Sequence, residues 1–371
     1  MRRPPIRKLD LAGSPEAMGN AHGRAHAAEI RRYARDRVGL VAGGLWSGGP
    51  LERGAVLELA EACLPAHEEF SPRLHAEMMA MASAAGIIPA EAVVVGGFTD
   101  FVDTVRAATG GPHPATVTED DCTAFLVPDE RAAGAGMLGQ TWDMHDIATD
   151  HVILACLRPD DGPDVLVFTT VGCVGQIGMN SAGVCVAINN LNGNDGRFGV
   201  TWPTVVRELL TQPTAADALG VLLRADLAGA HNYLILDAAG QGFNVEAMPS
   251  ARPVQALETE PLVHTNHVTH PAALPYEGER ALELMANSRR RLEVAANLLT
   301  GGDGPVDPER LMEVTREPTA ICQWPAEPYR SETSGAVIMR PRTGDFWACW
   351  GQPAENDYDH FSLAPVSAHR P

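Results

Sequence analysis

Cys122 stands where a breaker-rich stretch, residues 107–118 (Ala-Ala-Thr-Gly-Gly-Pro-His-Pro-Ala-Thr-Val-Thr), gives way to a short run of strand character in Glu119-Asp-Asp-Cys-Thr-Ala-Phe125. Gly and Pro at that density mark a loop or linker. A cut at that junction would leave a free N-terminus on a rigid element. The new α-amine, with a pKa of ~7.7–8.0, would lie beside a thiol of ~8.5. Such an amine can act as base for its own side chain, so nucleophilic catalysis would need no separate His. The plain alternative is a buried Cys acting as a small hydrophobe.

A hairpin pairing Cys122–Pro128 with Met137–Asp143 sets Asp143 opposite Cys122. A carboxylate there could hold the α-ammonium or orient the thiol; the alternative is a strand-end Asp accepting backbone N–H bonds. In His264-Thr-Asn-His-Val-Thr-His270 the His residues fall at i, i+3 and i+6. In a strand that spacing sends successive side chains to opposite faces, and Pro261 and Pro271 oppose a helix. A metal hydrolase built on His264, His267 and His270 stays as a rival reading, which loss of activity on chelation would favour. Asn266, within the same run, carries a carboxamide able to donate to a developing oxyanion. Asn189, ending Ala187-Ile-Asn-Asn190, could do the same, and turn or cap roles are the alternative for both. Gly172, Gly175, Gly178 and Gly183 lack the spacing of a dinucleotide fingerprint.

The elements that must position these groups divide at the linker. Before it, Glu16–Val41, Leu51–Cys63, Phe70–Ala85 and Pro89–Val105 read as helices. After it, short strands flank turn residues: Cys122–Pro128 with Met137–Asp143, His151–Arg158 with Val165–Val171, and Val174–Gly178 with Val184–Asn189. His231–Asp237 with Phe243–Ala247 and Ala336–Arg340 with Asp345–Trp350 complete the set. These are hairpin signals and predict largely antiparallel sheets. Helices are expected at Pro203–Leu210, Thr214–Arg224, Gly278–Leu299 and Pro308–Arg316, covering the outer faces of packed sheets.

With 371 residues, 45% hydrophobic and 20% charged, the chain has the composition of a packed globular protein. A net charge of −19 argues against nucleic acid and anionic membrane surfaces as partners. The basic Met1-Arg-Arg-Pro-Pro-Ile-Arg-Lys8 is followed by Asp10, Gly13, Ser14, Pro15 and Glu16, not by an apolar signal-peptide core. Seven cysteines without CxxC spacing suggest neither a disulfide framework nor a zinc knuckle. The expectation is a soluble, cytoplasmic protein with no cofactor.

Four blocks in order carry a family resemblance: Asp121-Cys-Thr-Ala-Phe125, Gly139-Gln-Thr-Trp-Asp143, Gly178-Met-Asn-Ser-Ala-Gly-Val184 running on to Asn189, and His264-Thr-Asn-His267. Together they resemble the isopenicillin-N acyltransferase-like branch of the N-terminal-nucleophile hydrolases. Gly13-Ser-Pro-Glu-Ala-Met-Gly19 and His22-Gly23 look like that family's pro-region. The resemblance implies an α+β fold, a four-layer αββα sandwich of antiparallel sheets preceded by a helical segment. It further implies Cys122 as nucleophile, Asp143 as its charged neighbour, Asn266 at the oxyanion hole, Asn189 as a substrate- or oxyanion-contacting residue, and Arg330 as the active-site arginine. Cleavage between Asp121 and Cys122 would give a helical chain 1–121 and a catalytic chain 122–371, which stay associated and could assemble further. Where the family often has Gly before the nucleophile, this chain has Asp121 in an acidic run. Carboxylates beside the attacked carbonyl would oppose the oxyanion and slow the cut.

The reading that results is a cysteine amidase that cleaves a small N-acyl amide through an acyl-Cys122 intermediate. The runner-up is an acyltransferase moving the acyl group from a thioester or amide donor to an amine. A non-catalytic binding protein on the same fold, marked by a Cys122 inert to thiol reagents, is the reading from another class.

Overall fold

A computed structural model describes residues 2–44, 46–110, 122–302 and 304–364. The chain opens with strand β1 (Lys8–Gly13) and helices α1 (Pro15–Ala25), α2 (Ala27–Gly43), α3 (Arg53–Glu61), α4 (Leu64–Phe70), α5 (Pro72–Ala85), α6 (Pro89–Gly96) and α7 (Phe98–Thr109). Strands β2 (Thr123–Val127), β3 (Met137–His145), β4 (Val152–Pro159), β5 (Val165–Thr170), β6 (Ile177–Asn180) and β7 (Val184–Asn190) follow. Helices α8 (Trp202–Leu209) and α9 (Ala215–Arg224) precede β8 (His231–Asp237), β9 (Gly242–Ala247), β10 (Val254–Ala256) and β11 (Leu262–His264). The chain then runs through α10 (Leu282–Thr300), α11 (Pro308–Thr315), β12 (Ser331–Arg340), β13 (Asp345–Trp350) and β14 (Tyr358–Ser362).

The strands form an eight-stranded sheet, β1-β4-β5-β6-β7-β8-β9-β10, and a six-stranded sheet, β11-β2-β3-β12-β13-β14. The two pack face to face through β2 and β3 against β7 and β8. Helices α8 and α9 cover the outside of the first, and α10 and α11 the outside of the second. This is an α+β, four-layer αββα sandwich. Alternation fixes the faces. Ala124, Leu126, Leu138 and Trp142 enter the layer between the sheets, where the Trp142 and Phe168 rings meet edge to face at 6.3 Å. Phe125, Val127, Met137 and Ile338 turn outward to α10 and α11.

The N-terminal segment differs from its sequence-based expectation in one respect that matters. It is not wholly helical: β1 pairs in parallel with β4, Lys8 opposite Leu154 through Gly13 opposite Pro159, and so supplies an edge strand to the sandwich. The helix expected over Glu16–Val41 breaks at His26, and that over Pro89–Val105 breaks at Gly97. In α1, Gly19 and Gly23 let α5 approach so closely that an added Cβ would lie 2.1 Å from the Glu77 carbonyl oxygen and 2.4 Å from that of Met81. Any side chain at either position would push the helices apart.

Among the described residues, no single helix is long and apolar enough to cross a membrane.

Candidate active site

Cys122 is the residue just before β2, and its side chain is fully buried in the inter-sheet cluster. Its backbone is gripped from two sides. The N–H donates to Asn266 Oδ1 at 2.7 Å, and the carbonyl oxygen accepts from Arg291 Nη1 at 2.6 Å. Arg291 Nη2 also donates to Asn266 Oδ1 (3.1 Å), Nη1 to Thr123 Oγ1 (3.2 Å), and Nε to Asn287 Oδ1 (2.7 Å). Asn266 is oriented by these contacts, because an oxygen that accepts twice leaves its Nδ2 to point the other way. Nδ2 donates to the Asn190 carbonyl at 3.0 Å. One side chain therefore ties the Cys122 nitrogen, at the start of β2 in the six-stranded sheet, to the end of β7 in the eight-stranded sheet.

Arg291 carries no signal in a motif search, since it lies in Ser288-Arg-Arg-Arg291 on a helix whose charges read as a solvated face. Its periodicity is the available signal. The buried positions of α10 are Ser288, Arg291, Ala295 and Leu299, so Arg291 sits on the inward stripe among small and apolar residues. A fully buried guanidinium is retained only where it is well hydrogen-bonded.

The hairpin register is one residue off the expectation. Val127 pairs with Met137 and Thr123 with Thr141, so the ladder puts Trp142, not Asp143, at the level of Cys122. Pro128 has no N–H to contribute to the ladder and falls into the turn. A one-residue shift also changes the face. Asp143, buried and paired with Thr333 on β12, alternates with Trp142 toward the α11 side, where its charge helps burial raise the Cys322 thiol. Arg330 has φ 53° and is half exposed. Its guanidinium is engaged by Asp146 (Nε to Oδ2, 2.9 Å) and Glu327 (3.1 Å), just beyond the end of β3. Asp121 lies outside the described residues.

Asn189 is buried on β7 and faces the layer between the sheets. Its Oδ1 accepts from Asn232 Nδ2 of β8 at 3.4 Å, while its Nδ2 has no partner among the described residues. Nothing in His231-Asn-Tyr233 marks Asn232 from sequence, because a lone Asn in a strand carries no catalytic spacing.

The three histidines of the His264–His270 run do not converge. His264 bonds Glu246 Oε1 (3.0 Å) and the Thr265 carbonyl (2.7 Å), His267 bonds Ser288 Oγ (2.8 Å), and His270 is exposed. Burial works to raise the Glu246 carboxyl, but hydrogen bonds from His264 and Thr269 outweigh it and hold the group at about 2. Burial pushes His267 down to about 4, helped by the charges of His264, Arg280, Arg289 and Arg291. No cluster of three or more His, Cys, Asp or Glu among the described residues is arranged to hold a metal ion. The other six cysteines are buried thiols kept protonated: burial raises Cys63, Cys322 and Cys349 to about 12, Cys173 to about 11, and Cys156 and Cys185 as well. None can serve as a ready thiolate near neutral pH.

Residues 130–355 match the sequence pattern of a family described as acyl-coenzyme A:6-aminopenicillanic acid acyl-transferase. That span includes Asp143, Asn189, Asn232, Asn266, Arg291 and Arg330, and begins just after Cys122. The acyl-coenzyme A:6-aminopenicillanic-acid-acyltransferase 40 kDa form of Emericella nidulans is 25% identical over 297 residues, 79% of this chain and 77% of that one. Among solved structures, a mutant conjugated bile acid hydrolase from Clostridium perfringens is similar at a TM-score of 0.45 and 12% identity, over 67% of this chain and 99% of that one. A Caenorhabditis elegans ortholog of N-acylethanolamine-hydrolyzing acid amidase is similar at 0.43 and 15%, over 60% of this chain and 93% of that one.

Proposed function

The chain belongs to the acyl-coenzyme A:6-aminopenicillanic acid acyl-transferase family of N-terminal-nucleophile enzymes, and on that premise we propose that it cleaves itself before Cys122 and then acts as a cysteine amidase on small N-acyl compounds. The observation that carries the reading is the two-sided grip on Cys122, whose N–H and C=O are both fixed by buried side chains at the mouth of a core strand. In an ordinary strand those groups would bond to a neighbouring strand. Here they are held by an amide and a guanidinium, and cutting the preceding bond leaves an α-amine already oriented by Asn266.

The amine, with an ordinary pKa of ~7.7–8.0, takes the thiol proton. The thiolate adds to the acyl carbonyl, and the oxyanion that forms is stabilised by a donor aimed at it. The free Nδ2 of Asn189 supports that role for Asn189. Asn266 holds the amine in this state, and a turn of its carboxamide would let its own Nδ2 join the oxyanion. The ammonium returns the proton to the leaving nitrogen, giving an acyl-thioester on Cys122 and a free amine. Water then attacks the thioester and releases the acid. An amine attacking instead completes an acyl transfer, the second reading, which the family's description favours. Asp143 and Arg330 are proposed to act at the same end of the six-stranded sheet. The two chains stay associated through β1, which the catalytic sheet holds as an edge strand. A cytoplasmic location is part of the same proposal.

Cys122→Ala is the test. Cleavage and turnover should both vanish, while alanine at Cys63, Cys156, Cys173, Cys185, Cys322 or Cys349 should change stability by about 1 kcal/mol and leave activity in place. An active, self-cleaving Cys122→Ala protein would end the proposal.

A further inference from the structure

Three buried polar atoms at the catalytic end of the inter-sheet layer have no partner among the described residues: Asn189 Nδ2, Asn232 Oδ1 and Trp142 Nε1. Their side chains are 0% exposed. Buried polar groups are normally satisfied, and each one left open costs stability. Three in one place, a donor and an acceptor among them, mark a surface built to be completed by something else.

Their position relative to the nucleophile follows from the ladders. Asn189 pairs directly with Asn232, so both side chains share one face of the sheet. The opposite face carries Ile188, Asn190 and His231. His231 Nδ1 lies 2.7 Å from Asp100 Oδ1 of α7, and its ring sits 5.1 Å from that of Trp202 of α8 at a tilt of 31°, so that face is the helix-covered one. Asn189 and Asn232 therefore face the other sheet, where Trp142 lies at the level of Cys122. Asn266 spans the gap between Cys122 and Asn190, and Gln140 of β3 spans it again, its Oε1 accepting from the Ile188 N–H at 2.7 Å.

We propose that Asn232 is a substrate-positioning residue that confines efficient turnover to acyl donors with an N–H on the scissile nitrogen. Its Nδ2 donates to Asn189 Oδ1 and so turns the Asn189 carboxamide, leaving the Asn189 Nδ2 free for the attacked carbonyl oxygen. Its own free Oδ1 accepts the N–H of the scissile amide. Holding that hydrogen fixes the face of the nitrogen that must receive the proton from the Cys122 ammonium when the C–N bond breaks. An ester or thioester offers no hydrogen to Oδ1 and leaves as an oxygen or sulfur anion, so the contact contributes nothing to it. A site built to bond a substrate N–H discriminates strongly against analogues without one, because the site's own polar atom is then left unpaired.

This inference rests on Cys122 being the nucleophile, and the experiment separates the two. The processed enzyme is assayed with hexanoyl p-nitroanilide, its N-methyl analogue and hexanoyl p-nitrophenyl ester, with acyl adducts on Cys122 followed by mass spectrometry. In Asn232→Leu both substrates lose the orientation of Asn189, but only the anilide also loses its own bond to Oδ1, so kcat/KM for the anilide should fall by roughly 10-fold or more beyond the fall for the ester, the worth of one buried hydrogen bond. The native enzyme should prefer the anilide to its N-methyl analogue by a similar factor, a comparison that needs no folded variant. Equal losses on anilide and ester would make Asn232 merely structural, and equal rates for the anilide and its N-methyl analogue would also overturn the proposal. A native enzyme that forms no adduct with any of the three would instead remove the nucleophile reading, and the positioning role with it.

Discussion

Two buried polar regions of this molecule do opposite things. Along the seam between the N-terminal segment and the sandwich, side chains from one part close onto the other. His22 Nε2 accepts from the Gly172 N–H (3.0 Å), His67 meets Thr201 and Thr204, and Glu77 pairs with Arg207 at 3.1 Å. At the catalytic end, Cys122 and Asn266 are gripped while Asn189, Asn232 and Trp142 keep atoms open. Burial alone does not separate structure from function. Completed pairs glue two parts of a chain together, whereas incomplete ones beside Cys122 are, on the proposed function, hydrogen bonds left for a substrate to make.

The comparison breaks most readily at Asn266. In protein confirmed to begin at Cys122, Asn266→Ala should lower kcat by roughly 10²–10³, the loss typical of one catalytic hydrogen-bonding group at such a site, with a much smaller change in KM. A large rise in KM at constant kcat would make Asn266 a substrate-binding residue and leave the oxyanion to Asn189. At the seam, the expected effect is on stability and depends on pH. Burial pushes both His22 and His67 down from 6.5 to about 3, with small contributions from the charges of His26 and His75. Below pH 6.5 the unfolded chain binds these protons and the folded one does not, so stability is fully present above 6.5 and falls as pH drops toward 3. Urea midpoints between pH 7.5 and 4.5 should show that fall. His22→Gln and His67→Gln should each flatten it, and an unchanged slope in the double variant would remove these two groups as its source.

The sequence makes most of the strands legible because their turns are written in Gly, Pro, Asn and Asp, as in Asn180-Ser-Ala-Gly183 between β6 and β7. Strand β1 is invisible to that logic, since a parallel edge strand has no hairpin turn, and its partner β4 lies more than 140 residues away. The register of β2 with β3 depends on where the ladder stops, and the proline at 128 moves it by one. Cys122 and Asn266 are legible as chemistry-bearing types in a recognisable order. Arg291 and Asn232 are not, because what distinguishes them is the contact each makes across 169 and 43 residues of chain.

The central claim is that Cys122, freed at its own amine, carries the acyl group. The most direct measurement is peptide mass spectrometry on purified protein quenched during turnover of an N-acyl p-nitroanilide. The account expects a peptide whose first residue is Cys122, bearing the acyl group, alongside a chain ending at Asp121. Full turnover by an uncut chain, or an acyl group found on any of the other six cysteines, would contradict it.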